Sequence, residues 1–224
     1  MLILYNLLLT ITSPIWATWM FLRARRRKEG VNWKERTGDY PFRWTKGTRR
    51  IWVHAVSVGE IVAALPLLRE LRERLPRYEI VLSVTTSSGH ETARTRAAGT
   101  YDHLVYFPID VLRFTMAALT RVRPEVVVVM ETELWPNFFW AARELGVRTI
   151  VANGRISDRA WPKNRRLAPF FRWVLGKADR VLAQSETDAE RFRFLGAKDV
   201  VITHLIRDLQ LDIRVLSLKL MLTR

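Results

Sequence analysis

Beyond residue 50 the chain alternates short apolar runs with stretches of helical spacing, and that alternation predicts a fold before any single residue does. Strand-like runs fall at Ile51 to Val56, Ile80 to Thr85, Leu104 to Phe107, Val126 to Met130, Thr149 to Ala152, Arg180 to Ala183 and Val200 to Thr203. Val126 to Met130 is continuously apolar and β-branched up to its last residue, the mark of a central strand buried on both faces. Helical periodicity marks Glu60 to Leu75, through Ile61, Ala64, Leu65, Leu68, Leu71 and Leu75. It also marks His90 to Ala98, Val111 to Arg121, Asn137 to Leu145 and Glu186 to Leu195. Ser185 is placed as N-cap of the last helix, with Asp188 three residues on and Gly196 as its stop. Strands and helices joined by short connections predict an α/β, Rossmann-like, doubly wound parallel sheet. Residues 51–203 contain no repeat, low-complexity tract or linker, so one domain is expected there.

Two segments fall outside this pattern. Met1 to Leu22 carry no charge and would span about 33 Å as a helix. Arg23, Arg25, Arg26, Arg27 and Lys28 follow at once. The charge pattern predicts a membrane-anchoring helix at 1–22, spanning or monotopic, with a basic juxtamembrane segment at 23–50 and the downstream domain on the cytoplasmic side. Asn6, Thr10, Thr12, Ser13 and Pro14 interrupt the apolar run, and a helix packed on the protein itself is the alternative. The charges follow the apolar stretch and no small-residue cleavage site is evident, which argues against a cleaved signal peptide. At the other end, 204–224 is an apolar and basic string with no cap or domain pattern, expected to be a truncated or frameshifted tail.

Composition narrows the partners. A chain of 224 residues with 49% hydrophobic content supports one large core and excludes a disordered protein. Cysteine is absent, which excludes disulfides and Cys metal sites and is compatible with a reducing cytoplasm. His54, His90, His103 and His204 lack ligand spacing and are expected as packed or surface imidazoles. Net charge is +15, and residues 23–50 hold eleven Lys/Arg against three acids. A second basic run, Arg155, Arg159, Lys163, Arg165, Arg166, Arg172, Lys177 and Arg180, is interleaved with Trp161, Phe170, Phe171 and Trp173. Such surfaces attract polyanions: anionic lipid head groups, a phosphorylated glycolipid or nucleic acid. No zinc-finger, RRM or KH signature accompanies them, which argues against nucleic acid.

Candidate chemistry gathers at two strand ends. In His54-Ala55-Val56-Ser57-Val58-Gly59-Glu60 an apolar strand runs into a glycine turn and delivers a carboxylate to a helix start. Ligands of open α/β sheets bind at the carboxyl ends of strands, and the positive helix end is expected to keep Glu60 ionised as a base. An ordinary acidic residue in a first helical turn fits the same spacing. After Val126 to Met130 come Glu131 and Glu133, then Trp135 with a flat ring and Pro136 at a helix start. The two carboxylates are placed to orient a sugar or the base, or else to cap a helix or pair with an arginine such as Arg155. Strand alternation points both to one side and does not choose between them. Thr85 to Gly89 reads as helix capping rather than an anion cradle. Gly-x-Ser-x-Gly does not occur.

The chain resembles the bacterial 3-deoxy-D-manno-octulosonic acid (Kdo) transferases of lipid A synthesis. The matching stretches are His54 to Glu60 with Ala63 to Leu67, Met130 to Asn137, and Val181 to Glu186; weaker echoes are Glu35 to Gly38 and Ala152 to Ser157. The similarity runs to about Thr203 and covers the front half of the family's enzyme. It implies the N-terminal half of a glycosyltransferase type B fold, with the lipid A precursor held in front and CMP-Kdo bound by a rear domain absent from this chain. It implies Glu60 as general base, with Ser57, Gly59, Glu131, Glu133 and Arg155 at the substrate, inversion at the anomeric carbon, and no metal or cofactor, CMP-Kdo being a substrate. It further implies the cytoplasmic face of the bacterial inner membrane. A non-catalytic, acceptor-lipid-binding or regulatory remnant is the alternative. The chain departs from the family at Thr203-His204-Leu205-Ile206-Arg207-Asp208, where a glycine and an asparagine are missing, and at Gly154, usually alanine.

Overall fold

Seven parallel strands build one sheet in the computed structural model, which describes residues 1–27 and 32–203. The strands are β1 (Arg49–His54), β2 (Tyr78–Val84), β3 (His103–Tyr106), β4 (Val126–Met130), β5 (Arg148–Gly154), β6 (Arg180–Ala183) and β7 (Val200–Ile202). Their order is β3-β2-β1-β4-β5-β6-β7, and every neighbouring pair is parallel. The direction of winding reverses between β1 and β4, where His54 lies opposite Val129. All seven predicted strands are present, with ends within two residues of those expected.

The helices are α1 (Leu2–Arg27), α2 (Trp33–Arg36), α3 (Val58–Arg74), α4 (Ser87–Arg96), α5 (Leu112–Val122), α6 (Pro136–Glu144), α7 (Trp161–Arg166), α8 (Ala168–Leu175) and α9 (Glu186–Phe194). Burial on both faces explains the unbroken apolar strands. Trp52, Val81, Val105, Val127, Val129, Val151 and Val181 face a core shared with α5, α6, α8 and α9. Ile51, Val53, Ile80, Leu82, Val126, Val128 and Ile150 face a second core shared with α3 and α4. Helices α2, α7 and α8 were not marked by periodicity. The first two have four and six residues, too few to show it, and α8 starts at Ala168, with Pro169 in its first turn and no side-chain cap.

The amino terminus corrects the expectation of a spanning anchor. Helix α1 forms and continues through the basic cluster to Arg27, yet among the described residues no helix is long and apolar enough to cross a membrane. Leu2, Tyr5, Asn6, Leu9, Ser13 and Ala17, at helical spacing, are half-buried, while Ile3, Leu7, Ile11 and Ile15 stay exposed. The polar interruptions explain part of this docking: the Tyr5 hydroxyl donates to Asp110 at 2.8 Å, and Asn6 exchanges two hydrogen bonds with the buried Asn137 at 2.8 and 3.0 Å. The helix packed on its own protein is therefore what forms at this end. Lys28 and the expected truncated tail, 204–224, lie outside the described residues.

The Glu35-Arg36-Thr37-Gly38 stretch straps this end to the sheet. Glu35 accepts the Tyr106 N–H at 2.7 Å, Arg36 donates to the Thr85 carbonyl at 2.8 Å, and Gly38 lies so close to α5 that a Cβ would meet Ala118 N at 2.6 Å.

Candidate active site

Glu60 sits where the sheet reverses, but its setting differs from the one expected. Helix α3 starts at Val58, with Ser57 as its N-cap. Gly59 is its second residue, with ordinary φ and nothing nearer to a built Cβ than Ser57 Oγ at 3.9 Å, so no turn requires a glycine there. Ser57 and Glu60 form a capping box. The Glu60 N–H donates to Ser57 Oγ at 3.4 Å, the Ser57 hydroxyl donates to Glu60 Oε1 at 3.0 Å, and the Val56 N–H donates to Glu60 Oε2 at 2.9 Å. The residue is 6% exposed. Burial pushes its carboxyl above the ordinary range, the bonds from Val56 and Ser57 pull it down, and the charge of Glu131 adds to the rise. Burial is thus the largest influence on this carboxyl, one that the expectation drawn from the helix end left out. A raised carboxyl is the better proton acceptor near neutral pH.

Glu131 and Glu133 follow β4, the strand beside β1 across the reversal. Both are half-buried. Glu131 takes a left-handed backbone, φ 57°, its N–H donating to the Ala152 carbonyl at 2.7 Å. That turn breaks strand alternation, so alternation is not what sets the directions of the two carboxylates. Glu133 is pushed up to about 7, first by burial and then by the charges of Glu60 and Glu131. The three carboxylates thus form one electrostatic cluster. Trp135 packs over His54 and Phe107, at ring-centroid distances of 6.4 and 5.6 Å, and its indole N–H is buried without a partner.

Arg155 lies beside this loop without pairing to it. Its backbone carbonyl accepts from the Thr132 hydroxyl, while its side chain is exposed and makes no ion pair among the described residues. The Arg155 segment is gripped from α9 by residues not singled out for the site: Asp188 accepts the Ile156 N–H at 2.7 Å and Arg191 donates to the Ile156 carbonyl at 2.5 Å. Ser185 and Asp188 repeat the arrangement of Ser57 and Glu60, serine capping the helix and donating to the acid three residues on. The Ser-x-x-acid spacing was the available signal for both boxes.

His54 is fully buried, stacked on Phe107 at 3.7 Å, with Nδ1 at 3.0 Å from Ser83 Oγ. Burial lowers it to about 3, so it is a neutral packing residue. In the Thr85 to Gly89 stretch the Gly89 N–H donates to Thr86 Oγ1 at 3.0 Å, a cap for α4. Among the described residues no group of three or more His, Cys, Asp or Glu side chains is arranged to hold a metal ion.

A single parallel sheet with an acidic cluster at its winding reversal defines a Rossmann-like α/β domain. Solved structures share that fold: UDP-GlcNAc 2-epimerase from Neisseria meningitidis bound to UDP-GlcNAc aligns with a TM-score of 0.51 at 14% identity, over 76% of this chain and 51% of that one. A further UDP-N-acetylglucosamine 2-epimerase aligns with a TM-score of 0.50 at 13% identity, over 70% of this chain and 48% of that one. Residues 31–212 match the family described as 3-deoxy-D-manno-octulosonic-acid transferase (kdotransferase), and the chain belongs to that family. A 3-deoxy-D-manno-octulosonic acid transferase of Bordetella pertussis is 32% identical, over 89% of this chain and 48% of its own length. The Haemophilus influenzae protein of the same name is 28% identical, over 86% and 45%. A bifunctional glycosyltransferase/methyltransferase of Fusobacterium nucleatum is 33% identical, over 87% and 29%. The chain spans less than half the length of these relatives.

Proposed function

We propose that this chain is the acceptor-binding half of a Kdo transferase of lipopolysaccharide synthesis, acting within a glycosyltransferase type B enzyme. Glu60 removes the proton from a glucosamine hydroxyl of the lipid A precursor, lipid IVA. The freed oxygen bonds to the anomeric carbon of Kdo, that carbon's bond to the phosphate oxygen breaks, and CMP leaves with inversion. Donor binding falls to the half of the enzyme that this chain does not span. Glu131 and Glu133 orient the acceptor sugar. Arg155 and the basic run after it draw the acceptor's phosphates toward the cleft at the cytoplasmic face of the inner membrane.

The observation that carries this reading is Glu60 at the winding reversal of the sheet, held by the Val56 N–H and the Ser57 hydroxyl, in a chain of this family. The test is transfer from CMP-Kdo to the lipid A precursor, with the donor-binding half of a relative supplied as a second polypeptide. Glu60→Gln is expected to lower turnover by about 10²–10⁴-fold while acceptor binding persists. Turnover unchanged by that substitution would remove the base from the scheme.

A further inference from the structure

Between residues 43–44, ahead of β1, and the outer face of α5 lies an open concavity of about 770 Å³. Arg43, Arg113, Arg121 and Arg123 line it, around Trp44 and Met116. Asp39 pairs with Arg121 at 2.8 Å. Among the described residues no carboxylate pairs with Arg43, Arg113 or Arg123. The Arg123 guanidinium lies 4.9 Å from the centre of the Trp44 ring, on a residue whose backbone is left-handed, φ 46°.

The hollow is built from beneath. Arg50, 2% exposed, donates to the Arg43 carbonyl at 3.1 Å and to the Val122 carbonyl at 3.1 Å, and pairs with Glu79 at 2.7 Å. One buried guanidinium thus clamps the loop wall to the end of α5. The lining arginines bring like charges together at a cost in self-repulsion, and among the described residues no ion pair offsets it for three of them.

We infer that this concavity binds a small phosphate-bearing anion with two phosphate groups, at a site separate from the carboxylate cluster. Guanidinium forks match phosphate oxygens two at a time, and three unpaired forks beside an apolar floor suit a diphosphate or a pair of phosphomonoesters. The Arg43 wall precedes the amino end of β1 and Glu60 follows its carboxyl end, and none of the three clustered carboxylates lines the concavity.

The test titrates the full chain with inorganic pyrophosphate by calorimetry and measures its sedimentation with phosphatidylglycerol vesicles, with and without pyrophosphate. Saturable pyrophosphate binding is expected, weakened about tenfold or more by Arg113→Gln with Arg123→Gln. Arg69→Gln with Arg77→Gln, which removes equal charge from exposed positions in and just after α3, is expected to leave it unchanged. Melting curves establish that both double variants fold. Pyrophosphate that releases the chain from vesicles, in a way lost with Arg113→Gln and Arg123→Gln, identifies neighbouring lipid phosphates as the source, and binding that ignores vesicles identifies a soluble phosphate; both carry the inference. Absence of saturable binding, or equal loss in the two double variants, overturns it. So does duplex DNA held more tightly than pyrophosphate through Arg113 and Arg123.

Discussion

Glu60 serves two purposes that one substitution separates. Its carboxylate closes the capping box of α3 and is the proposed base. Glutamine keeps an oxygen for the Val56 N–H, so Glu60→Gln is expected to lower stability by no more than about 1 kcal/mol, even as turnover falls. Ser57→Ala removes the cap itself and is expected to cost about 1 kcal/mol in denaturant unfolding. Gly59 offers the opposite signature. It sits inside the helix with free space at its Cβ, so Gly59→Ala is expected to stabilise the chain by about 0.5–1 kcal/mol. If its bare surface admits the acceptor beside Glu60, the same substitution weakens acceptor binding; a gain in both would place Gly59 outside the cleft. Glu133 has a pH signature. Its carboxyl titrates near 7 in the native state, above its ordinary 4.5. The native chain therefore holds this proton longer than the unfolded one, and stability falls as pH rises between those values. Glu133→Gln is expected to flatten that decline in urea midpoints measured from pH 5 to 8, and an unchanged slope would show that Glu133 holds its proton no more tightly in the native chain than in the unfolded one.

At the scale of elements, what could be read in the chain followed how far each element's burial repeats along it. Val126 to Met130 is buried at every position and was readable to the residue. Helix α9 announced itself through the Ser185 cap and its Gly196 stop. The loop after β4 did not, because the left-handed turn at Glu131 depends on the Ala152 carbonyl of a neighbouring strand, a tertiary partner that no local spacing encodes. The same holds for Gly154, which looked like a minor change. A Cβ there would meet the Phe192 ring at 2.9 Å and Val181 at 3.2 Å, so the large ring of α9 fills the space that the missing methyl leaves under β5. Gly154→Ala is expected to cost about 1–3 kcal/mol through overpacking. Adding Phe192→Leu is expected to recover part of that cost. A double-mutant cycle on urea unfolding checks the coupling, and additive costs would show that the two side chains do not compete for the space.

The whole molecule joins its amino-terminal helix to the domain through Asn137 and one buried carboxylate, Asp110. Residues 1–22 read as a membrane segment because they carry no charge and a basic cluster follows, a pattern that takes no account of Tyr5 and Asn6, the polar residues that dock the helix. Asp110, 4% exposed, accepts from the Tyr5 hydroxyl and from the Asn137 and Phe138 N–H groups at the start of α6. It thereby ties α1 to the helix that follows the Glu131–Trp135 loop. Burial pushes Asp110 up to about 7 against the pull of these three donors, from 3.8 as its ordinary value. Between those values the native chain binds the proton and the unfolded chain has lost it. Stability is therefore highest at the acidic end of the window and declines until pH passes about 7. A shift of this size corresponds to about 4 kcal/mol. Asp110→Asn cannot titrate, so the wild-type chain is expected to lose stability relative to the variant as pH rises from 4 to 8, by an amount of that order. Glu60 and Glu133 titrate in the same direction in both proteins, so the difference between the two curves isolates Asp110. Urea unfolding of both chains across that range supplies the measurement. Parallel curves would mean that water reaches the carboxylate beneath α1, and that the helix does not seal the contact its hydrogen bonds describe.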